Sequence, residues 1–160
     1  MPRPPMTQPL PEPDPQNFRI DREGKWFHEG HLIAREALVK LFADKGLKRD
    51  GQGRYWLQSP YEKYAVEVED VPFVVTDYEI SEGQFILTTN LGEEVKVTPD
   101  NPLELRTYPA AKEKIPYIHI REGLYARMGR AVYYELVMKY GKTLAVGGTD
   151  YQLAEDKHES

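Results

Sequence analysis

The sequence predicts an α+β protein of two related lobes, the second an antiparallel sheet or partial barrel that carries one long helix. Three observations support this. Short β-patterned runs follow one another between turn residues, two stretches of helical period each end at a glycine, and the same order of elements recurs in both halves. A length of 160 residues suffices for one full core or for two small lobes that share an interface.

Residues 1–16 read as a disordered arm. Seven of the first fifteen are proline, and proline brings no amide hydrogen to a regular ladder. The N-terminal α+β lobe, residues 17–75, opens with strands at Phe18–Asp21 and Trp26–His28 around a turn at Glu23-Gly24. From His31 the period changes. Ile33, Ala37, Leu38, Leu41 and Phe42 gather on one helical face, and Gly46 stops that helix. Asp50–Gly53 is a turn, Arg54–Gln58 a strand, and Ser59-Pro60 a break. In Lys63–Glu69, Tyr64, Val66 and Val68 alternate with Ala65, Glu67 and Glu69, as a half-buried strand requires.

The C-terminal lobe, residues 76–155, is read as a β-rich unit with one helix. Runs at Phe73–Ile80, Gln84–Thr89, Glu94–Thr98 and Leu103–Tyr108 predict an antiparallel meander. A polar linker at Ala110–Lys114 leads to a strand at Tyr117–Arg121 and then to a helix over Leu124–Tyr140, ended by Gly141. Short strands around Leu144 and Tyr151 follow, and residues 156–160 are a frayed tail. Trp26–Gly30 leading to the helix with Arg35 matches Tyr117–Gly123 leading to the helix with Arg127 and Arg130. Tyr55–Gln58 likewise matches Tyr151–Ala154. Two such copies predict an internal duplication packed as two lobes around a cleft.

Composition removes several functions. With no cysteine, disulfides, thiolate metal sites and cysteine nucleophiles are excluded. No run approaches the roughly 20 apolar residues of a membrane span, and the N-terminus lacks the pattern of a secretion signal, so a cytoplasmic address without membrane contact is expected. A net charge of -5 argues against duplex nucleic acid as a partner. A small anion needs only a few local cations or a helix N-terminus.

Trp26 with His28 and Gly30, Arg35, Leu41-Phe42, Tyr55 with Leu57, Ser59-Pro60, Glu62-Lys63, and above all Val68-Glu69-Asp70 with Pro72-Phe73 form one pattern. It continues in Thr89-Asn90, Tyr117 with His119 and Arg121, Gly123-Leu124, Ala126, Arg130 and Val132-Tyr133-Tyr134. From Phe18 to Leu153 the sequence resembles the bacterial family called "domain of unknown function 1285". The resemblance implies two related lobes, the second loosely like a pleckstrin-homology barrel. It also implies a nucleotide-like ligand at their interface and a signalling role. Arg121-Glu122-Gly123 departs from the Arg-Gly-Gly turn expected of the family.

Strand alternation puts Tyr117, His119 and Arg121 on one face, where a ring, a titratable donor and a cation suit a base and a phosphate. Arg127 and Arg130, three apart on the expected helix, extend the cluster, with help from Arg35 and Lys63. The plainer alternative is a solvated edge with ion pairs to Glu122 or Glu135, and for Lys63 a rim pair with Glu62. Glu69-Asp70 reads as a turn that bonds local amides. His28 and His31 lack the i, i+4 helical spacing of a zinc pair, so no metal is expected.

No nucleophile elbow, phosphate loop or dinucleotide fingerprint is present. The sequence therefore points to a non-enzymatic, cofactor-free regulatory protein that binds a nucleotide-like anion between its lobes. The alternatives are an adaptor that docks a protein through its sheet and proline-rich arm, and a hydrolase with an unrecognised acid-base set.

Overall fold

A computed structural model describes residues 18–155, so the arm at 1–16 and the tail at 156–160 lie outside the described residues. The N-terminal sheet contains β1 (Phe18–Ile20), β2 (Trp26–His28), β3 (His31–Leu32), β4 (Leu47–Arg49), β5 (Tyr55–Gln58) and β6 (Lys63–Val68). Helix α1 (Glu36–Leu41) and a wider π-type turn over Phe42–Gly46 lie between β3 and β4. The C-terminal sheet contains β7 (Phe73–Ser81), β8 (Gln84–Thr89), β9 (Glu94–Val97), β10 (Glu104–Tyr108), β11 (Glu113–Arg121) and β12 (Leu124–Met128). Helix α2 (Arg130–Tyr140) follows, then a hairpin of β13 (Thr143–Val146) and β14 (Thr149–Gln152). The molecule is thus mostly β, with two six-stranded mixed sheets and few helices.

The two sheets are wound alike. The first runs β3-β2-β1-β6-β5-β4, and the second, read from its β9 edge, runs β9-β8-β7-β12-β11-β10. In each, the first and sixth strands meet in parallel at the centre while the other neighbours are antiparallel. The expected antiparallel meander holds for β7, β8 and β9, but β10 joins the opposite edge beside β11 and the return of β12 beside β7 makes the sheet mixed. The matched units of the two halves also differ from those read in the sequence. By winding, β2 with Trp26 corresponds to β8 and β5 with Tyr55 corresponds to β11, so Trp26–His28 is not the counterpart of Tyr117–His119.

The expected helix over Leu124–Tyr140 divides at Gly129. Leu124, Ala126 and Met128 are buried on one side of β12, a period of two that the apolar content alone did not separate from a helix. Gly129 is required at the junction: its amide donates to the Val75 carbonyl at 2.9 Å, and a Cβ there would lie 2.5 Å from that oxygen. The expected linker at Ala110–Lys114 is a tight turn into β11, whose Glu113 already pairs with Tyr108. The sheets part at Glu69–Pro72, between β6 and β7, so a division at residue 75 cuts through β7.

One apolar core runs through both lobes. Ile20, Trp26 and Leu47 of the first sheet join Phe73, Phe85, Leu87 and Ile118 of the second in a single cluster. Val132 and Leu136 of α2, with Leu144 and Tyr151 of the hairpin, belong to that cluster as well. Burying each such side chain stabilises the fold by about 1.5–3 kcal/mol, and the cluster is continuous across the two lobes.

Candidate functional site

The seam between the lobes holds a buried polar group. Asp70, just before β7, accepts the Tyr117 hydroxyl at 3.0 Å on each carboxylate oxygen and Arg127 Nη1 at 3.2 Å. Arg127 Nη1 also donates to the Arg22 carbonyl, and its guanidinium lies 4.5 Å from the Tyr108 ring centre. The Arg127 and Asp70 side chains are only 7% and 10% exposed, so the charges are taken out of water as a pair. Burial, and then the Asp70 charge, push the Tyr117 hydroxyl well above the ordinary tyrosine range. The Asp70 partners come from the other lobe, not from the local amides that the sequence suggested.

A second set of contacts crosses the seam. Arg121, held within its own lobe by Glu93 at 3.2 Å, donates across it to the Ala43 carbonyl at 3.1 Å. Arg49 Nη1 donates to the Gly123 carbonyl at 2.9 Å. The Asn90 side chain accepts from the Val74 amide and donates to the Gly24 carbonyl. These bonds hold the two sheets at one relative position.

His119 and Arg121 do not share a face. The ladder between β11 and β12 runs through Tyr117↔Arg127, Ile118↔Ala126 and His119↔Tyr125, then jumps to Arg121↔Leu124. The bulge skips Ile120 and turns Arg121 to the side of Ile118, because one extra residue inverts the alternation. His119 stays with Tyr125, its ring 5.1 Å away. Its Nε2 accepts from the Gly123 amide at 2.9 Å, so it closes the hairpin that ends in Glu122-Gly123.

Arg127 lies on β12, not on a helix, while Arg130 is the exposed first residue of α2. Arg35 is exposed ahead of α1. Lys63 rests 4.4 Å from the Trp56 ring centre and makes no rim pair with Glu62. His28 stacks on Phe18 at 4.5 Å, and among the described residues no group of three His, Asp or Glu side chains is placed to hold a metal.

Beside the Asp70 group the seam opens into a cavity of about 600 Å³. Arg22 enters from the N-terminal lobe, and Tyr108, Arg127, Arg130, Tyr133 and Tyr134 from the C-terminal lobe. Glu23 and Glu113 also reach its wall. The first turn of α2 faces it with no capping side chain, which leaves amide donors and the positive end of the helix dipole available to an anion. Burial also pushes the Tyr133 hydroxyl upward, with Glu113 adding to it.

Two family models cover the chain, "Domain of unknown function (DUF1285), N-terminal domain" over residues 4–71 and "Protein of unknown function (DUF1285), C-terminal domain" over residues 72–154. The chain belongs to the DUF1285 family. A DUF1285 family protein from Silicibacter pomeroyi DSS-3 is similar in structure, with TM-score 0.75 and 32% identity over 88% of this chain and 80% of that one. A second, from Shewanella baltica OS155, has TM-score 0.60 and 27% identity over 77% of this chain and 91% of that one. No curated protein matches the chain.

The boundary between the two DUF1285 models falls between Val71 and Pro72, directly after the aspartate that joins the lobes. Of the sequence-predicted residues, Arg127 and Arg130 line the cavity. Tyr117 stands behind Arg127 through Asp70, whereas His119, Arg121, Arg35 and Lys63 lie elsewhere. Arg22, Tyr108, Tyr133 and Tyr134 were not singled out for the cavity. Only the Tyr133-Tyr134 pair at the start of α2 offered a signal, a doubled aromatic beside an arginine.

Proposed function

We propose that this DUF1285 protein binds a small anionic molecule carrying a planar ring, of nucleotide type, in the cavity between its lobes, and acts as a regulatory binding protein. One observation carries the reading: three arginines, two of them solvent-facing, converge with tyrosine rings and an uncapped helix start on one inter-lobe cavity. Rings stack on tyrosine and phosphate suits arginine and helix amides. Arg127 is fixed by Asp70, which leaves Arg22 and Arg130 as the adaptable donors. On this reading the like-wound lobes descend from an internal duplication, the second resembles a pleckstrin-homology barrel, and the protein works in the cytoplasm.

The test is a thermal-shift and calorimetric titration with mononucleotides and cyclic dinucleotides. A ligand at about a hundred times its dissociation constant adds about 2.7 kcal/mol of stability. Arg130→Ala and Arg22→Ala abolish the shift, while His119→Ala, away from the cavity, leaves it. Absence of any shift or heat, or equal binding by the arginine variants, refutes the proposal.

A further inference from the structure

Strand β7 loses one neighbour part-way along. β12 pairs with it only at Phe73, Val74 and Val75. After the Gly129 amide bonds the Val75 carbonyl, the chain turns away into α2. On the other edge β8 continues to Ser81. From Thr76 to Ser81, then, one edge of β7 faces no strand among the described residues.

The ladder phase says which groups that edge exposes. Glu82 and Gly83 both have positive φ, 53° and 76°, the two-residue turn in which the flanking pair, Ser81 and Gln84, exchanges both hydrogen bonds. Alternation then directs Glu79 to β8, and Tyr78 and Ile80 to the open edge. The Tyr78 amide agrees: its acceptor is Oδ1 of the adjacent Asp77, at 2.8 Å. That side chain occupies the place of a neighbouring strand's carbonyl.

The edge lies in a groove. A cavity of about 310 Å³ runs between this part of β7 and α2, lined by Tyr78, Ile80 and Tyr140, by the carboxylates of Asp77, Glu79 and Glu135, and by one cation, Lys139 of α2, so that acidic groups predominate. The Tyr78 hydroxyl donates to Glu135 at 2.9 Å, which fixes the side chains on the α2 wall. Acidic residues on an open edge repel a second copy of the same edge, since Asp77 and Glu79 would meet their own kind. They attract a strand of opposite charge.

We infer that this groove docks an extended segment of a partner protein, with Lys or Arg at alternate positions, as a further strand along Tyr78–Ile80 in line with β12. Main-chain bonds to Tyr78 and Ile80 supply affinity, and the cationic side chains, which alternation places together on one face of the added strand, lie against Asp77 and Glu79 and supply selectivity. The inference is independent of the inter-lobe ligand.

The probe is a fluorescein-labelled Lys-Val-Lys-Val-Lys-Val-Lys peptide, followed by anisotropy and by residue-resolved amide exchange of the full chain. Binding saturates, and exchange at Tyr78 and Ile80 slows about tenfold while Glu79, already in the ladder, is unchanged. N-methylation of alternate peptide amides, or Glu79→Lys, weakens binding about tenfold. Asp77→Asn keeps an acceptor for the Tyr78 amide and weakens binding less, which provides a second variant should Glu79→Lys misfold. No saturable binding, binding without protection at Tyr78 and Ile80, or equal binding by both variants overturns the inference. A peptide-free dimer that protects the same two amides overturns it too, by assigning the edge to a second copy.

Discussion

In the N-terminal lobe the helical segment Glu36–Gly46 is inserted between the third and fourth strands, whereas in the C-terminal lobe the helix enters only after the sixth. The winding is the same, yet the surfaces differ. Early insertion lets the first lobe cover its own core with Val39, Ala43 and Gly46. Late insertion draws the chain off β12 at Gly129; the central pairing covers three residue pairs in both lobes, but β7 runs on beyond it where β1 ends, and a cavity lies on each side of α2. Where a helix joins a given sheet thus decides which edges and hollows remain open for ligands.

The sharpest way to break the comparison is at the seam. Asp70→Ala strands Arg127 without its counter-charge in a buried place and costs about 3–5 kcal/mol in urea unfolding. Within the N-terminal lobe, Glu69→Ala removes a half-exposed partner of Arg19 and of the Arg22 side chain and amide and costs about 1 kcal/mol. Equal losses would mean that the lobes are not joined through Asp70.

Next in size are the two cores. Ile20→Ala in β1 and Leu87→Ala in β8 each delete a fully buried side chain and cost about 2–5 kcal/mol. Because the apolar cluster is continuous, calorimetry shows one shifted transition in both variants. Two transitions, each responding to one substitution, would separate the lobes.

Alkaline stability sharpens the contrast between the like-placed strands β5 and β11. Tyr117 is raised by burial and by Asp70; Tyr55 is raised by burial and held back by Arg49. A hydroxyl whose pKa is higher folded than unfolded holds its proton more tightly in the native state. Its stabilisation is complete below the unfolded value of about 10 and is lost as the pH climbs above it. Tyr117→Phe costs about 1 kcal/mol at neutral pH and flattens this alkaline loss; Tyr55→Phe flattens it less. An unchanged slope in Tyr117→Phe would remove the seam from the titration.

The smallest effect concerns the β11–β12 turn. Glu122 has φ 50°, a left-handed conformation that a side chain resists. Its exposed pair with Lys48 contributes little. Glu122→Gly raises stability by about 0.5 kcal/mol in a melting experiment. A loss instead would show that the Lys48 contact between the lobes matters more than backbone strain.

Much of the chain was legible locally. The strand read at Lys63–Glu69 is β6, Lys63–Val68, with the expected alternation at Val66, Glu67 and Val68 but Tyr64 more exposed than Ala65, and Gly46 and Gly141 end their helical segments as read. The misreadings cluster where a local pattern has two solutions. Leu124–Met128 is apolar enough for strand or helix, and only the place beside β7 selects the strand. A bulge at Ile120 has no composition signal, yet it separates His119 from Arg121.

Sequence by itself determined the family, the turn positions and most strands of this protein, because these rest on contacts between residues a few positions apart. Tertiary structure alone decided the strand order, the open edge of β7 and the cavity at the seam. The reason is burial: Arg127 enters the interior only because Asp70, 57 residues away, meets it there, and no local pattern encodes such a meeting.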